Sequence, residues 1–141
     1  MVILAVDLGK ARTGIAVCDK LEMIASPVTV INQRNREKLL TEIAKICGER
    51  KPEQLVVGLP KNMDNSEGES ALNAREFASQ LSELTGLPVD MQDERGTTIT
   101  AHNFLNVTDT RGQKRKAVVD AVAAVIILED YMRKRKLAKE P

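Results

Sequence analysis

After Met1 the chain opens on five apolar residues, Val2 to Val6, and the run ends in Asp7. An unbroken apolar stretch with β-branched members predicts a strand covered on both faces and therefore central in a sheet. After a turn around Gly9, Thr13 to Cys18 reads as a second strand and Glu22 to Val30 as a third, bent by Pro27. Three strands on short links predict an antiparallel meander. From Arg36 to Arg50 the spacing becomes helical: Leu39, Leu40, Ile43, Ile46 and Cys47 fall on one stripe, and Pro52 prevents continuation. Gln54 to Gly58 is a short apolar strand, followed by a polar loop from Leu59 to Gly68. A second helix is expected from about Glu69 to Leu84, with Ala74, Phe77, Ala78, Leu81 and Leu84 inward and a stop at Thr85, Gly86, Leu87 and Pro88. Val89 to Gln92 is extended. The spacing then predicts a short helix over Thr97 to Leu105 and an aperiodic loop over Asn106 to Gln113. A long helix without Gly or Pro follows, from Lys114 or Arg115 to about Arg135.

This order predicts an α/β fold: a mixed five-stranded sheet, an antiparallel meander plus parallel strands, flanked by helices. Crossover links make the first, fourth and fifth strands parallel, so their carboxyl ends share one edge. Asp7, Gly58 and Asp93-Glu94 fall on that edge. A chain of 141 residues with 43% hydrophobic and 29% charged positions suits one soluble domain spanning residues 1–141 and is too short for two.

Charge changes the picture only locally. A formal net charge of +1 gives no broad field, so attraction to nucleic acid must come from basic clusters. Arg111, Lys114, Arg115 and Lys116 form one. Arg133, Lys134, Arg135, Lys136 and Lys139 form another, read here as solvated surface. Cys18 and Cys47 lack the spacing of a zinc site and fit buried small hydrophobes in a reducing compartment. The amino terminus has no basic leader, and the longest apolar stretch, Ala121 to Leu128, is far shorter than the about 20 residues a membrane span needs. A cytoplasmic protein without membrane contact is expected.

Two acids sit in apolar company. Asp7 ends a central strand, and Asp120 lies within Ala117 to Val125, apolar on nearly every face. An unpaired ionised carboxylate is costly to desolvate in such places. A single one is more often a cap or an ion pair. Two of them, with Asp93-Glu94 at a third strand end, suggest a shared site for a hard divalent cation, Mg2+ or Mn2+. Two such ions about 4 Å apart support phosphodiester hydrolysis. Alternation along Val89 to Gln92 does not decide between Asp93 and Glu94. Gly9 and Gly14 bracket Lys10 and Arg12, where backbone and guanidinium can approach a phosphate. Lys116 shares a helix face with Asp120, four residues on. His102, the lone histidine, reads as structural, and Tyr131 with two phenylalanines is too little for a base-stacking platform.

Four ordered motifs carry a resemblance over nearly the whole chain: Asp7-Leu8-Gly9-Lys10-Ala11-Arg12-Thr13-Gly14; Val56-Val57-Gly58-Leu59-Pro60 with Asn62-Met63-Asp64; Asp93-Glu94-Arg95; and Lys116 with Asp120 and Ala123-Ala124. In these the chain resembles the YqgF family, Holliday-junction-resolvase-like proteins described as nucleases of the small-subunit ribosomal RNA precursor. The resemblance implies a ribonuclease H-like fold, a divalent metal, and maturation of the 5′ end of pre-16S ribosomal RNA, with DNA junctions as a related substrate. By motif position it implies that Asp7, Glu94 and Asp120 are the catalytic, metal-binding acids, which selects Glu94 over Asp93. Arg12, Arg95 and Lys116 match the family's basic residues and, with Lys10, are expected to bind substrate. Gly96 stands where the family usually has an apolar residue, and Asn65 replaces a loop glycine, a mild change because Asn tolerates left-handed backbone. A monomer or homodimer is compatible with this reading. Two other functions compete: a non-catalytic nucleic-acid-binding factor in ribosome assembly or transcription, and a phosphotransferase of the actin and sugar-kinase type, which shares the Asp7 hairpin but needs a longer chain.

Overall fold

Ile3, Leu4, Ala5 and Val6 have no solvent exposure at all, as a strand lined on both faces requires. They form all but the last residue of β1 (Ile3–Asp7), the central strand of a five-stranded sheet in a computed structural model that describes residues 1–94 and 112–139, with side chains over 1–94 and 121–138. β2 (Arg12–Cys18) and β3 (Ala25–Asn32) continue from β1 as an antiparallel meander. β4 (Gln54–Leu59) and β5 (Val89–Asp93) lie on the other side of β1, both parallel to it, giving the order β3-β2-β1-β4-β5.

Alternation divides the core in two. Leu4, Val6, Ile15, Leu55 and Val57 face α1 (Arg36–Arg50) and α2 (Glu69–Thr85), meeting Leu39, Ile43, Phe77 and Leu81. Ile3, Ala5, Ala16, Cys18 and Val56 face α3 (Gly112–Lys139), meeting Ala124, Ile127, Leu128 and Tyr131. Asn35 caps α1, its side chain accepting the Lys38 N–H at 3.0 Å, and α2 ends on Gly86 in the left-handed region at φ 73°.

Most element ends fall within two residues of those the sequence predicts, and two elements depart by more. β3 starts at Ala25 rather than Glu22, because Asp19 turns the chain back: its Oδ1 accepts the N–H groups of Met23 and Ile24, and Glu22 sits at φ 55°. Pro27 lies beside an irregularity in the β2–β3 register, where Ile15 pairs with Thr29 but Ala16 with Pro27. The last helix is longer at both ends than expected, Gly112–Lys139. The short helix expected over Thr97 to Leu105 and most of the loop expected over Asn106 to Gln113 lie outside the described residues. Among the described residues no helix is long and apolar enough to cross a membrane.

Candidate active site

The carboxyl ends of β1, β4 and β5 meet at one edge, and on the α3 face of that edge side chains have been removed to make room. Ile3 and Ala5 face α3, so Asp7 does too. Its cross-strand partner is Gly14, which adds no side chain opposite the carboxylate. Val56 faces α3, so the next position on that face of β4 is Gly58. A β-carbon at Gly58 would lie 2.6 Å from Glu94 Oε2, 2.9 Å from its Cδ and 2.7 Å from Ile127 Cδ1. The missing side chain is therefore the space that Glu94 fills.

Glu94 follows β5 directly, and its N–H donates to the Leu59 carbonyl at 3.1 Å, extending the parallel ladder by one bond. Asp90 on the same strand accepts a hydrogen bond from the Tyr131 hydroxyl of α3, so positions 90, 92 and 94 face α3 and Asp93 does not. This decides geometrically what alternation in the sequence leaves open. Burial, then the neighbouring Asp7 charge and a hydrogen bond between the two carboxyls, with a smaller effect of Asp93, holds the Glu94 carboxyl well above the usual range. Two carboxyls held this close, both half-buried, are a pair that a dication would relieve. The room that Gly58 gives the Glu94 carboxyl beside Asp7 and the oxygen-only donor set both fit a hard divalent ion.

In the β1–β2 turn a β-carbon at Gly9 would fall 2.1 Å from the Arg12 carbonyl oxygen, so only glycine allows the chain to close on itself here. The turn leaves Lys10 exposed and Arg12 half-buried at the start of β2. Asp120 and Lys116 belong to the first three turns of α3, whose backbone is described and whose side chains are not; Asp120 stands one turn ahead of Ala124, which is fully buried against the sheet. Arg95 and Gly96 lie outside the described residues. The structure thus brings Asp7 and Glu94 together and sets Lys10 and Arg12 in the adjoining hairpin. Among the described residues no group of three or more potential ligands gathers, the third acid being one whose side chain is not described.

A family model described as RuvX, Holliday junction resolvase, matches residues 1–134. The chain belongs to the RuvX family. Among its relatives, a protein of Clostridium botulinum (strain Eklund 17B / Type B) named "Putative pre-16S rRNA nuclease" is 42% identical over 132 residues, covering 94% of this chain and 96% of the relative. A protein of the same name from Lachnospira eligens is 40% identical over 139 residues, covering 96% and 99%. Among solved structures, Thermus thermophilus RuvC in complex with a Holliday junction substrate superposes with a TM-score of 0.62 at 15% identity, covering 100% of this chain and 99% of that one. The fowlpox virus Holliday junction resolvase gives 0.57 at 11% identity, covering 95% and 99%. At such identities the likeness is one of fold, and it establishes the RuvC-like, ribonuclease H-like architecture for this RuvX chain.

Gly58 is the residue whose part at the site sequence reasoning missed. The signal was there: a glycine inside a wholly buried strand, at the carboxyl end of a parallel set, marks a close approach by something else. Asn65, where the RuvX chain departs from the glycine usual in the family it resembles, has φ 72°, a left-handed angle that asparagine tolerates. Of the terminal basic cluster read as solvated surface, Arg133, Lys134 and Lys136 are exposed, and Arg135 departs from that reading: it is only a quarter exposed and pairs with Glu22 at 2.8 Å.

Proposed function

We propose that this chain is a divalent-metal-dependent nuclease that hydrolyses phosphodiester bonds, acting in the 5′-end maturation of pre-16S ribosomal RNA. The observation that carries the reading is the Asp7–Glu94 carboxyl pair, built at the carboxyl edge of the sheet where Gly58 leaves Glu94 its space. The family supports the reaction class, and the name its relatives bear supports RNA as the substrate.

Asp7 and Glu94 would hold the ion, joined by Asp120 from the start of α3. When bound, Mg2+ or Mn2+ supplies a nucleophile at neutral pH and stabilises charge on the departing oxygen. Asp7 and Glu94 present their oxygens at the sheet edge, each anchored by a backbone that is paired on the ladder. Gly9 permits the tight turn that brings Lys10 and Arg12 beside Asp7, and a guanidinium there binds a phosphate through two parallel hydrogen bonds. Lys116 and Arg95 are proposed to extend the same contact along the strand.

The test is cleavage of a precursor fragment spanning the 5′ end of 16S ribosomal RNA by purified protein in magnesium or manganese, with a four-way DNA junction alongside. Cleavage of the RNA by the parent and its loss in Asp7→Asn are expected. Equal cleavage by Asp7→Asn sinks the site. Preference for the junction moves the substrate from RNA to DNA. Absence of cleavage with retained, salt-sensitive RNA binding transfers the chain to the non-catalytic class.

A further inference from the structure

The arginines whose side chains are described are, with one exception, held by a partner or placed where the fold gains from a cation. Arg36 donates to Gln80 at 3.0 Å and lies over the Phe77 ring, Arg75 pairs with Glu67 at 2.7 Å, Arg133 with Asp130 at 3.3 Å and Arg135 with Glu22 at 2.8 Å. Arg12 has an interaction of its own, and Arg50 stands in the last turn of α1, where a cation complements the helix dipole. The exception is Arg34. It is exposed, no hydrogen bond or ion pair among the described residues engages its guanidinium, and it precedes the amino end of α1, where the dipole disfavours a positive charge. Stability does not account for it.

The chain on both sides of Arg34 is pinned. The β2–β3 register ends with Arg12 opposite Asn32, and Gln33 N–H then donates to the Ala11 carbonyl at 3.1 Å, which carries the chain one step further along the hairpin of Lys10 and Arg12. Gln33 Oε1 accepts the Asn35 N–H at 3.1 Å, and Asn35 Oδ1 in turn accepts the Lys38 N–H at 3.0 Å. With its oxygen so used, the Gln33 amide keeps its Nε2 donors for a ligand. Ala11, Asn32, Gln33 and Arg34 line a cleft of about 400 Å³, and none of the four is acidic. The nearest acid along the chain, Glu37, belongs to the first turn of α1, where it complements the helix dipole.

We propose that this cleft is a second phosphate subsite, in which the Arg34 guanidinium and the Gln33 amide grip the sugar–phosphate backbone of the substrate strand away from the bond that is cut, an inference that rests on the nuclease reading above. A guanidinium meets a phosphate through two parallel hydrogen bonds, and an amide N–H adds a third. Asp7 lies opposite Gly14. About four residues of strand, ~13 Å, lead from that level to Arg34, and two strand spacings, ~10 Å, separate β1 from β3. Arg34 therefore stands on the order of 16 Å from Asp7, a reach of about five stacked nucleotides at ~3.4 Å each. Phosphate contacts fix register and direction without reading bases, so the subsite sets how the strand lies across Asp7 and confers no sequence preference.

The experiment measures binding of a labelled single-stranded RNA of about 12 nucleotides, long enough at ~3.4 Å each to reach from Asp7 past Arg34. Two unrelated sequences are used, in a chelator so that no strand is cut, across a range of salt concentrations. The proteins are the parent, Arg34→Gln, Arg34→Lys and Arg50→Gln, the last removing an equal charge ~20 Å away along α1. In Arg34→Gln the slope of log K against log salt should be shallower by about 0.7, the share of one phosphate contact on a single strand. Binding at low salt should be several-fold weaker with both sequences. Arg34→Lys keeps the charge and should keep the parent slope, as should Arg50→Gln. A parent slope in Arg34→Gln, or the same loss in Arg50→Gln, overturns the subsite. Cleavage by the parent in magnesium, alongside an unchanged slope in Arg34→Gln, leaves the nuclease reading standing while the subsite falls. An Arg34-dependent slope with no cleavage by the parent removes the nuclease reading and keeps the subsite as a grip on nucleic acid.

Discussion

A methyl group at position 58 would have to share space with the Glu94 carboxyl and with Ile127 at once. Gly58→Ala therefore pushes Glu94 from Asp7, and cleavage should fall about a hundred-fold, the cost of a misplacement near 1 Å. The same overpacking should cost roughly 1–3 kcal/mol of stability in urea unfolding. A variant that cleaves and unfolds like the parent would deny that Glu94 uses the space. Glu94→Gln probes charge rather than volume. Because the folded protein holds the Glu94 proton to higher pH than the unfolded chain does, the folded state binds more protons above the ordinary carboxylate range, and stability falls as pH rises there. In a chelator, melting temperatures between about pH 5 and pH 8 should decline more steeply for the parent than for Glu94→Gln. At this scale the sequence was partly legible: Asp7 stood out because five apolar residues precede it, whereas alternation left Glu94 and Asp93 open, the resemblance selected Glu94, and the geometric reason came only with Tyr131, which fixes the face of β5 that meets α3.

Along α3 the polar contacts are spread so that the helix is tied to two strand systems. Tyr131 reaches Asp90 on β5, and Arg135 donates to Glu22 in the β2–β3 turn at 2.8 and 3.4 Å, where the Met1 ammonium also donates to Glu22 at 3.1 Å. The Arg135 hydrogen bond, against the opposing effect of burial, holds the Glu22 carboxyl down to about 2. Its folded value being depressed, Glu22 contributes stability above the ordinary glutamate range and loses it as pH falls toward that value. Arg135→Met keeps the side-chain length and should lower stability at neutral pH by about 1–3 kcal/mol. The loss should shrink in acid, and thermal melts at several pH values read it. A constant difference across that range would assign Arg135 a packing role only. None of this was legible beforehand, since the partners are 113 and 41 residues apart and periodicity reports which face a residue takes, not whom it meets. The same limit explains β3: the apolar Met23 and Ile24 read as strand, but Asp19 captures their backbone N–H groups.

For the molecule as a whole, order and type of the described elements were readable because each helix and strand carries its own period, and crossover rules then left few ways to assemble them. The convergence of acids from positions as remote in the sequence as Asp7 and Glu94 was inferable from parallel strand ends; the distances were not. A protein that gathers carboxylates in this manner should gain stability from the ion that joins them. Adding Mg2+ or Mn2+ should raise the melting temperature, and more so near pH 8 than near pH 6, because the ion takes the ionised pair. Abolition of that gain is expected in Asp7→Asn. A pH-independent gain, or one that survives Asp7→Asn, would put the ion elsewhere. The outer strand β3 bears on assembly. Pro27 offers no donor, and beside it the pairing skips a residue, so the sheet's margin there is a broken template. Around Pro27 that side is poorly suited to zipping the sheets of two copies together, because a shared backbone ladder would lack a donor there and meet the shifted register.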